Sequence, residues 1–223
     1  MVHAVLLRPA PPQPDHREYS LASRLPVFAP LIHPASRHSL TISQFGSPHY
    51  GISALIPCPN PPTLSCKLAA RAAKAGIYTA WAQTHLVQAQ YYRDPERLDE
   101  FMFRNTFLRD MNGEGALQDD GGERGDGGAG LGDLENLVAI AFKEDNTVYP
   151  GLSAHWATVD VFNTSAVIEL RDQPLYDQDW IGLRRLDEKK KLHLAFCPGQ
   201  HMDLGGEGGC GEQMVEKWIG WKK

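Results

Sequence analysis

LVAIAFKEDN (Leu137 to Asn146) and LHLAFCPGQH (Leu192 to His201) share one layout, a short, mostly apolar run followed by a polar loop with titratable groups. Apolar runs of this length, bounded by polar loops, read as strands buried on both faces of a parallel sheet. Open parallel sheets present reactive groups in the loops beyond the carboxyl ends of their strands. If the two strands are neighbours, Asp145 and His201 project from the same edge. A carboxylate that accepts the imidazole N–H fixes the tautomer and stabilises the imidazolium formed when the histidine acts as a base. The pair is then half of a nucleophilic triad. On spacing alone, Asp145 also fits a turn residue and His201 a surface or core histidine.

The flanking sequence supplies the rest of an α/β pattern. LTISQF (Leu40 to Phe45) alternates apolar and polar and stops at Gly46, which predicts a strand. Ser65 to Ile77 is Ala-rich with a Ser cap and Gly76 near its end, which predicts a helix. Trp81 to Tyr92 and Glu96 to Met111 read as two more helices, separated by Asp94-Pro95 because proline disfavours helix at the residue before it. Met214, Val215, Trp218 and Trp221 fall on one face of a closing helix. Strands interleaved with helices mean α/β, with a mostly parallel sheet and a helical insertion.

Two stretches differ in composition. Of 16 prolines, 12 lie between Pro9 and Pro62, and residues 1–39 show no lasting period, so that segment reads as disordered or loosely extended. Residues 113–132 hold nine glycines and five acidic residues, which predicts a flexible loop inside a folded unit running from 40 to 223. The 223 residues carry a formal charge of −5 and a pI near 6.0, which argues against a general nucleic-acid binder. No run of 18 apolar residues predicts a transmembrane helix, and the opening MVHAVLLRPAPPQPD does not read as a signal peptide.

Val87-Gln88-Ala89-Gln90-Tyr91-Tyr92-Arg93-Asp94-Pro95 resembles the V-Q-A-[EQ]-Y-[WY]-x-D-P stretch of the palmitoyl-protein thioesterases, lysosomal α/β-hydrolases. Phe45 to Ile52 is similar to the family's G-G-x-H-x-G loop, with its first Gly replaced by Phe45 or shifted, and Leu175 to Leu183 resembles L-Y-x-Q-D-x-[IL]-G-L. The resemblance runs from about Leu40 to Trp218. It places Asp145 on the family's catalytic Asp, in [NE]-D-x-x-V, and His201 on its catalytic His, in G-x-H-[LM]-x-L. It implies hydrolysis of a thioester between a long-chain acyl group and a protein cysteine, with S-acylated proteins or peptides as substrates and no metal or organic cofactor. It also implies a Cys58–Cys66 disulfide and a lysosomal, vacuolar or secreted location.

The departures from the family are as informative. In α/β-hydrolases the order is Ser, then Asp, then His, with the serine on a G-x-S-x-G elbow. That pattern is absent; Gly151-Leu152-Ser153-Ala154-His155 lacks the second Gly and follows Asp145, so Ser153 reads as a loop serine. The expectation is a partial α/β-hydrolase fold with its amino-terminal strands missing, close to inactive by itself, from a truncated or misassembled gene model. A non-catalytic pseudoenzyme or acyl-binding protein is the alternative.

The remaining motifs carry less. Cys197 and Cys210 form no C-x-x-C pair and read as ordinary thiols or as partners of cysteines lost with the front half. Asn163-Thr164-Ser165 is a glycosylation sequon. The segments from Ser65 to Met111 are candidate walls for an acyl groove, although Phe101, Phe103 and Phe107 are spaced as core residues. Gly125 to Gly130 and Gly206 to Gly211 fit G-x-G-x-x-G without the strand that a dinucleotide site needs, so both read as loops.

Overall fold

A computed structural model describes residues 5–8, 40–54, 61, 63–114 and 130–220. Four strands form the main sheet: β1 (Val5–Arg8), β2 (Thr41–Phe45), β3 (Asn136–Phe142) and β6 (Leu192–Cys197), in spatial order β1-β2-β3-β6. Strand β3 lies parallel to β2, with Thr41 opposite Asn136, and parallel to β6, with Leu137 opposite Leu192 and Phe142 opposite Cys197. Strand β1 runs antiparallel to β2 and stands in the segment where no element was expected.

The β2–β3 crossover contains α1 (Leu64–Gly76), α2 (Ala80–His85), α3 (Val87–Tyr91), α4 (Leu98–Arg104) and α5 (Leu108–Met111). The β3–β6 crossover contains a two-stranded hairpin, β4 (Thr158–Val159) with β5 (Val167–Ile168), then α6 (Pro174–Asp177) and α7 (Leu183–Glu188). Helix α8 (Cys210–Trp218) follows the sheet. This is a mostly parallel α/β architecture, consistent with a partial α/β-hydrolase fold. No helix among the described residues is long and apolar enough to cross a membrane.

Strand β3 explains why its apolar run is continuous rather than alternating. Leu137 and Ala139 pack with Leu175, Leu183 and Leu186 on one face. Val138, Ile140 and Phe142 join a cluster with Met214, Val215 and Trp218 of α8 on the other. A strand covered on both faces has no side to leave polar. Met214, Val215 and Trp218 thus face the core as their spacing predicts, while Trp221 lies outside the described residues.

Several boundaries differ from the sequence reading. Each of the two long helices expected after residue 80 is interrupted, at Leu86 and at Asn105, where the backbone turns extended. Asn105 is wholly buried, and its Nδ2 donates to Gln90 O at 2.8 Å and Gln83 Oε1 at 3.2 Å, while its Oδ1 accepts from Arg109 N at 3.1 Å. Leaving the helix frees that side chain to cap α5. Both ends of the glycine-rich window, residues 113–114 and 130–132, belong to the folded body. Glu114 is buried on Arg93, and Leu131 N donates to Ile181 O at 2.9 Å within the body of the protein. Residues 115–129 lie outside the described residues, as do most of 1–39 and Cys58.

Candidate active site

The carboxyl ends of β2, β3 and β6 meet at one edge of the sheet. Asp145 follows β3 by three residues, its N–H donating to Phe142 O at 3.3 Å. The loops after β3 and β6 stay joined beyond the strands, since Lys143 N donates to Cys197 O at 3.0 Å and Glu144 N to Gly199 O at 3.1 Å. His201, four residues past Cys197, therefore reaches Asp145, and its Nδ1 lies 2.8 Å from Asp145 Oδ2. The parallel β3–β6 pairing brings these two sequence-predicted residues together. Their side chains are 14% and 2% exposed for His201 and Asp145, so the imidazole keeps access to solvent while the carboxylate has almost none.

Each oxygen of Asp145 has a separate task. Oδ1 accepts from Thr147 N and Val148 N, both at 2.9 Å, and Oδ2 faces the imidazole. Val148 is buried in the core of the helical block, which accounts for a valine three residues after the aspartate. Burial pushes the Asp145 carboxyl up, but the His201 hydrogen bond and the two backbone amides outweigh it and hold the group below the ordinary carboxylate range. An ionised Asp145 fixes the proton of His201 on Nδ1 and leaves the Nε2 lone pair outward. Nε2 makes no hydrogen bond among the described residues.

Gly46, the first residue after β2, completes the edge. Its N–H donates to Ile140 O at 2.8 Å, and its φ is +60°, a conformation that L side chains rarely adopt. A Cβ at this position would lie 2.9 Å from His201 Cε1 and 3.2 Å from Phe142 Cε2. Glycine is therefore required both by the turn and by the imidazole beside it. The likeness to G-G-x-H-x-G marks this loop, but only the sheet order shows that Gly46 touches the histidine.

Other sequence-predicted residues fall into different roles. Ser153 is not a loop serine: it sits in a 3-10 turn (Gly151–His155), wholly buried. Its Oγ donates to Gly51 O at 2.6 Å and accepts from Tyr50 N at 3.2 Å, tying the loop after β2 to that turn. Cys197 and Cys210 are not separate thiols, because they form a disulfide with Cα atoms 5.6 Å apart. The turn between β6 and α8 brings them together across 13 residues, a pairing that spacing alone does not mark. Cys66 is also disulfide-bonded; Cys58, the partner expected for it, lies outside the described residues. Asn163 is exposed in the turn between β4 and β5, its Oδ1 accepting from Ser165 N at 3.2 Å. Phe101 is a core residue, Phe107 packs partly buried beside it, and Phe103 is exposed.

Known proteins match the part of the chain that contains this edge. The family model described as palmitoyl protein thioesterase matches residues 36–201, which spans β2, β3, Asp145, β6 and His201. The chain is 35% identical over 160 residues to the palmitoyl-protein thioesterase-dolichyl pyrophosphate phosphatase fusion 1 of Schizosaccharomyces pombe, covering 71% of this chain and 24% of that protein. It is 28% identical over 159 residues to palmitoyl-protein thioesterase 1 of Caenorhabditis elegans, covering 71% and 51%. It is 27% identical over 130 residues to lysosomal thioesterase PPT2-B of Xenopus laevis, covering 58% and 43%. The chain thus spans between about a quarter and a half of the length of these relatives. With a match over most of its length, ending on the histidine that pairs with Asp145, the chain belongs to the palmitoyl protein thioesterase family.

Proposed function

We propose that this chain carries the acid–base half of a thioester hydrolase acting on long-chain acyl groups joined to protein or peptide cysteines. The observation that carries the reading is the Asp145–His201 hydrogen bond at the shared ends of β3 and β6. In the reaction a serine hydroxyl attacks the thioester carbonyl while His201 Nε2 takes its proton. The resulting imidazolium is stabilised by Asp145, whose Oδ2 accepts the Nδ1–H. Collapse of the tetrahedral intermediate releases the cysteine thiolate, to which His201 returns the proton. Water, deprotonated by the same imidazole, then hydrolyses the acyl-enzyme. The nucleophilic serine belongs on a G-x-S-x-G elbow, which the 223 residues do not contain.

The helical block is the proposed wall for the acyl chain, where Trp81, Leu86, Val87 and Phe103 are exposed. A lysosomal or secreted location with a Cys58–Cys66 bridge and a glycan on Asn163 belongs to the same reading. It is supported by the bonded state of Cys66, the exposed sequon and the lysosomal name of a relative. The test is palmitoyl-thioester hydrolysis by the product of the complete transcript. His201→Ala is expected to lower turnover by roughly 10⁶-fold, and undiminished hydrolysis would overturn the assignment.

The missing elbow favours a second reading, a non-catalytic acyl-binding or interaction protein. It is the outcome if the complete product contains no elbow, binds a palmitoylated peptide and hydrolyses nothing.

A further inference from the structure

We infer that the Cys197–Cys210 crosslink is a positioning element for His201, holding the imidazole against Asp145 by pinning both ends of the loop that carries it. The inference rests on the reading of Asp145 and His201 as a working pair.

Between the two cysteines lie 12 residues, 198–209, of which five are glycine. Gly199, Gly205, Gly206 and Gly208 all have positive φ, so the loop follows a path that few other residues adopt and that has many alternatives when released. Its middle, from Asp203 to Gly208, is exposed and holds itself mainly through local bonds, such as Gly205 N to Asp203 Oδ1 at 3.2 Å and Gly209 N to Gly206 O at 3.1 Å. Contact with the sheet end is made near the front of the loop, by Gly199 O and by His201 itself.

The far end of the loop is the weak point. Helix α8 starts at Cys210, and its N-cap, Gly209, offers no side chain to satisfy the first amides. Five glycines lead into this first turn, which is braced by bonds to the loop itself, Gly211 N to Leu204 O at 3.0 Å and Gly208 N to Glu212 Oε2 at 2.6 Å, so a loop released at this end would loosen them and slacken His201. The crosslink ties that first turn to Cys197, a wholly buried residue at the end of β6. Met214, Val215 and Trp218 pack the later turns of α8 against the core, and the covalent tie fixes its first residue, Cys210, to the sheet end. The depressed titration of Asp145 agrees, since burial raises it and the imidazole bond is the largest of the contributions that lower it.

The experiment uses the 223-residue chain with two double variants, C197A/C210A and C197V/C210A, which leave the other disulfide in place. Nitrogen-15-labelled histidine reports exchange of the His201 Nδ1 proton with water, and carbon-13 NMR reports the Asp145 carboxyl titration. Loss of the tie is expected to speed proton exchange by roughly 5- to 30-fold, the range that one or two kcal/mol gives in an equilibrium. The Asp145 midpoint is expected to rise toward its ordinary range, with protection of β3 amides unchanged. A folded variant in which exchange and titration both stay as in the parent overturns the proposal. It also falls if neither variant folds, because the crosslink then serves the fold and not His201. Failure of the hydrolase reading is separate: His201→Ala would leave hydrolysis intact while these signals still report whether the crosslink holds the imidazole.

Discussion

Strand β3 buries Leu137, Val138, Ala139, Ile140 and Ala141 with no ionisable side chain among them, whereas the helical block between residues 63 and 114 buries Gln83, Arg93, Asp94, Asn105 and Glu114. The contrast follows from how each region satisfies its backbone. Parallel ladders on both sides of β3 use its N–H and C=O groups, so its side chains need only fill space. The block consists of helices of 13, 6, 5, 7 and 4 residues, most far below the length at which propensity sustains a helix. Their ends are satisfied by buried side chains instead. Gln83 Nε2 donates to Ile77 O and Ala89 O, both at 2.9 Å, and Arg93 makes two bonds of 2.7 Å to Glu114, whose Oε1 also accepts from Tyr50 OH at 3.0 Å. Apolar packing tolerates many arrangements, while a satisfied polar network permits few. The sheet end should therefore control chemistry, and the block should fix the shape of the wall beside it.

The largest expected effect lies at the sheet end. On the proposed hydrolase reading, Asp145→Asn in the full-length product should lower thioester turnover by about 10⁴-fold. The amide oxygen can still accept from Thr147 and Val148, but its NH₂ would face His201 Nδ1 and select the wrong tautomer. Urea denaturation should show little loss of stability. A large stability loss would mean that Asp145 belongs with the structural networks of the block.

Glu114→Gln is the matching experiment in the block. Breaking one partner of a buried pair costs about 3–5 kcal/mol, because the other charge stays buried without compensation. The Arg93 guanidinium carbon lies 4.2 and 4.7 Å from the centroids of the Tyr50 and Phe101 rings, and its side chain is almost wholly buried. The cost should appear as a lower urea midpoint, with the His201 Nδ1–H signal unchanged. If the signal vanishes in a folded variant, the two regions are coupled and the division fails.

These contrasts also separate what was legible in the sequence from what was not. β3 and β6 were readable as short, mostly apolar runs bounded by polar loops, and β2 by its alternation before Gly46. Asp145 and His201 were readable as strand-end residues before any family likeness was used. The breaks at Leu86 and Asn105 were hidden because a buried Asn that caps the next helix looks, in sequence, like one polar residue on a helical face. Glu114 was absorbed into a glycine-rich window because composition cannot show that Arg93, 21 residues earlier, points at it. The 197–210 bridge depends on the turn between β6 and α8, which no residue pattern announces.

A third effect is pH dependence. His155 lies over the β3–β6 ladder with Nε2 3.2 Å from Ala139 O and 3.0 Å from Ala195 O. Burial lowers its folded-state value below the ordinary one, and the two carbonyls only partly oppose this. The unfolded chain then binds the extra proton first, so stability is full above about pH 6.5 and falls as pH drops below that value toward the folded one. Each unit of separation costs about 1.4 kcal/mol. His155→Gln retains a donor and removes the titration, so urea midpoints between pH 7 and pH 5 should lie on a flatter line than in the parent. An unchanged slope would transfer the effect to His193, which burial and Lys217 lower in the same direction.

The smallest effect sharpens the comparison most directly. Ile140→Val removes one methylene from a wholly buried residue beside Phe45, Phe142 and α8. Such a change typically costs about 0.5–1.5 kcal/mol, because neighbours relax into part of the gap. No donor or acceptor is left unpaired, since the β3 backbone bonds do not involve the side chain. The expected result is a modest fall in urea midpoint, well below that for Glu114→Gln, with the Asp145–His201 signals unmoved. A cost equal to that of Glu114→Gln would mean that the sheet interior is as intolerant as the polar network. The specificity of the fold could then not be assigned to the block alone.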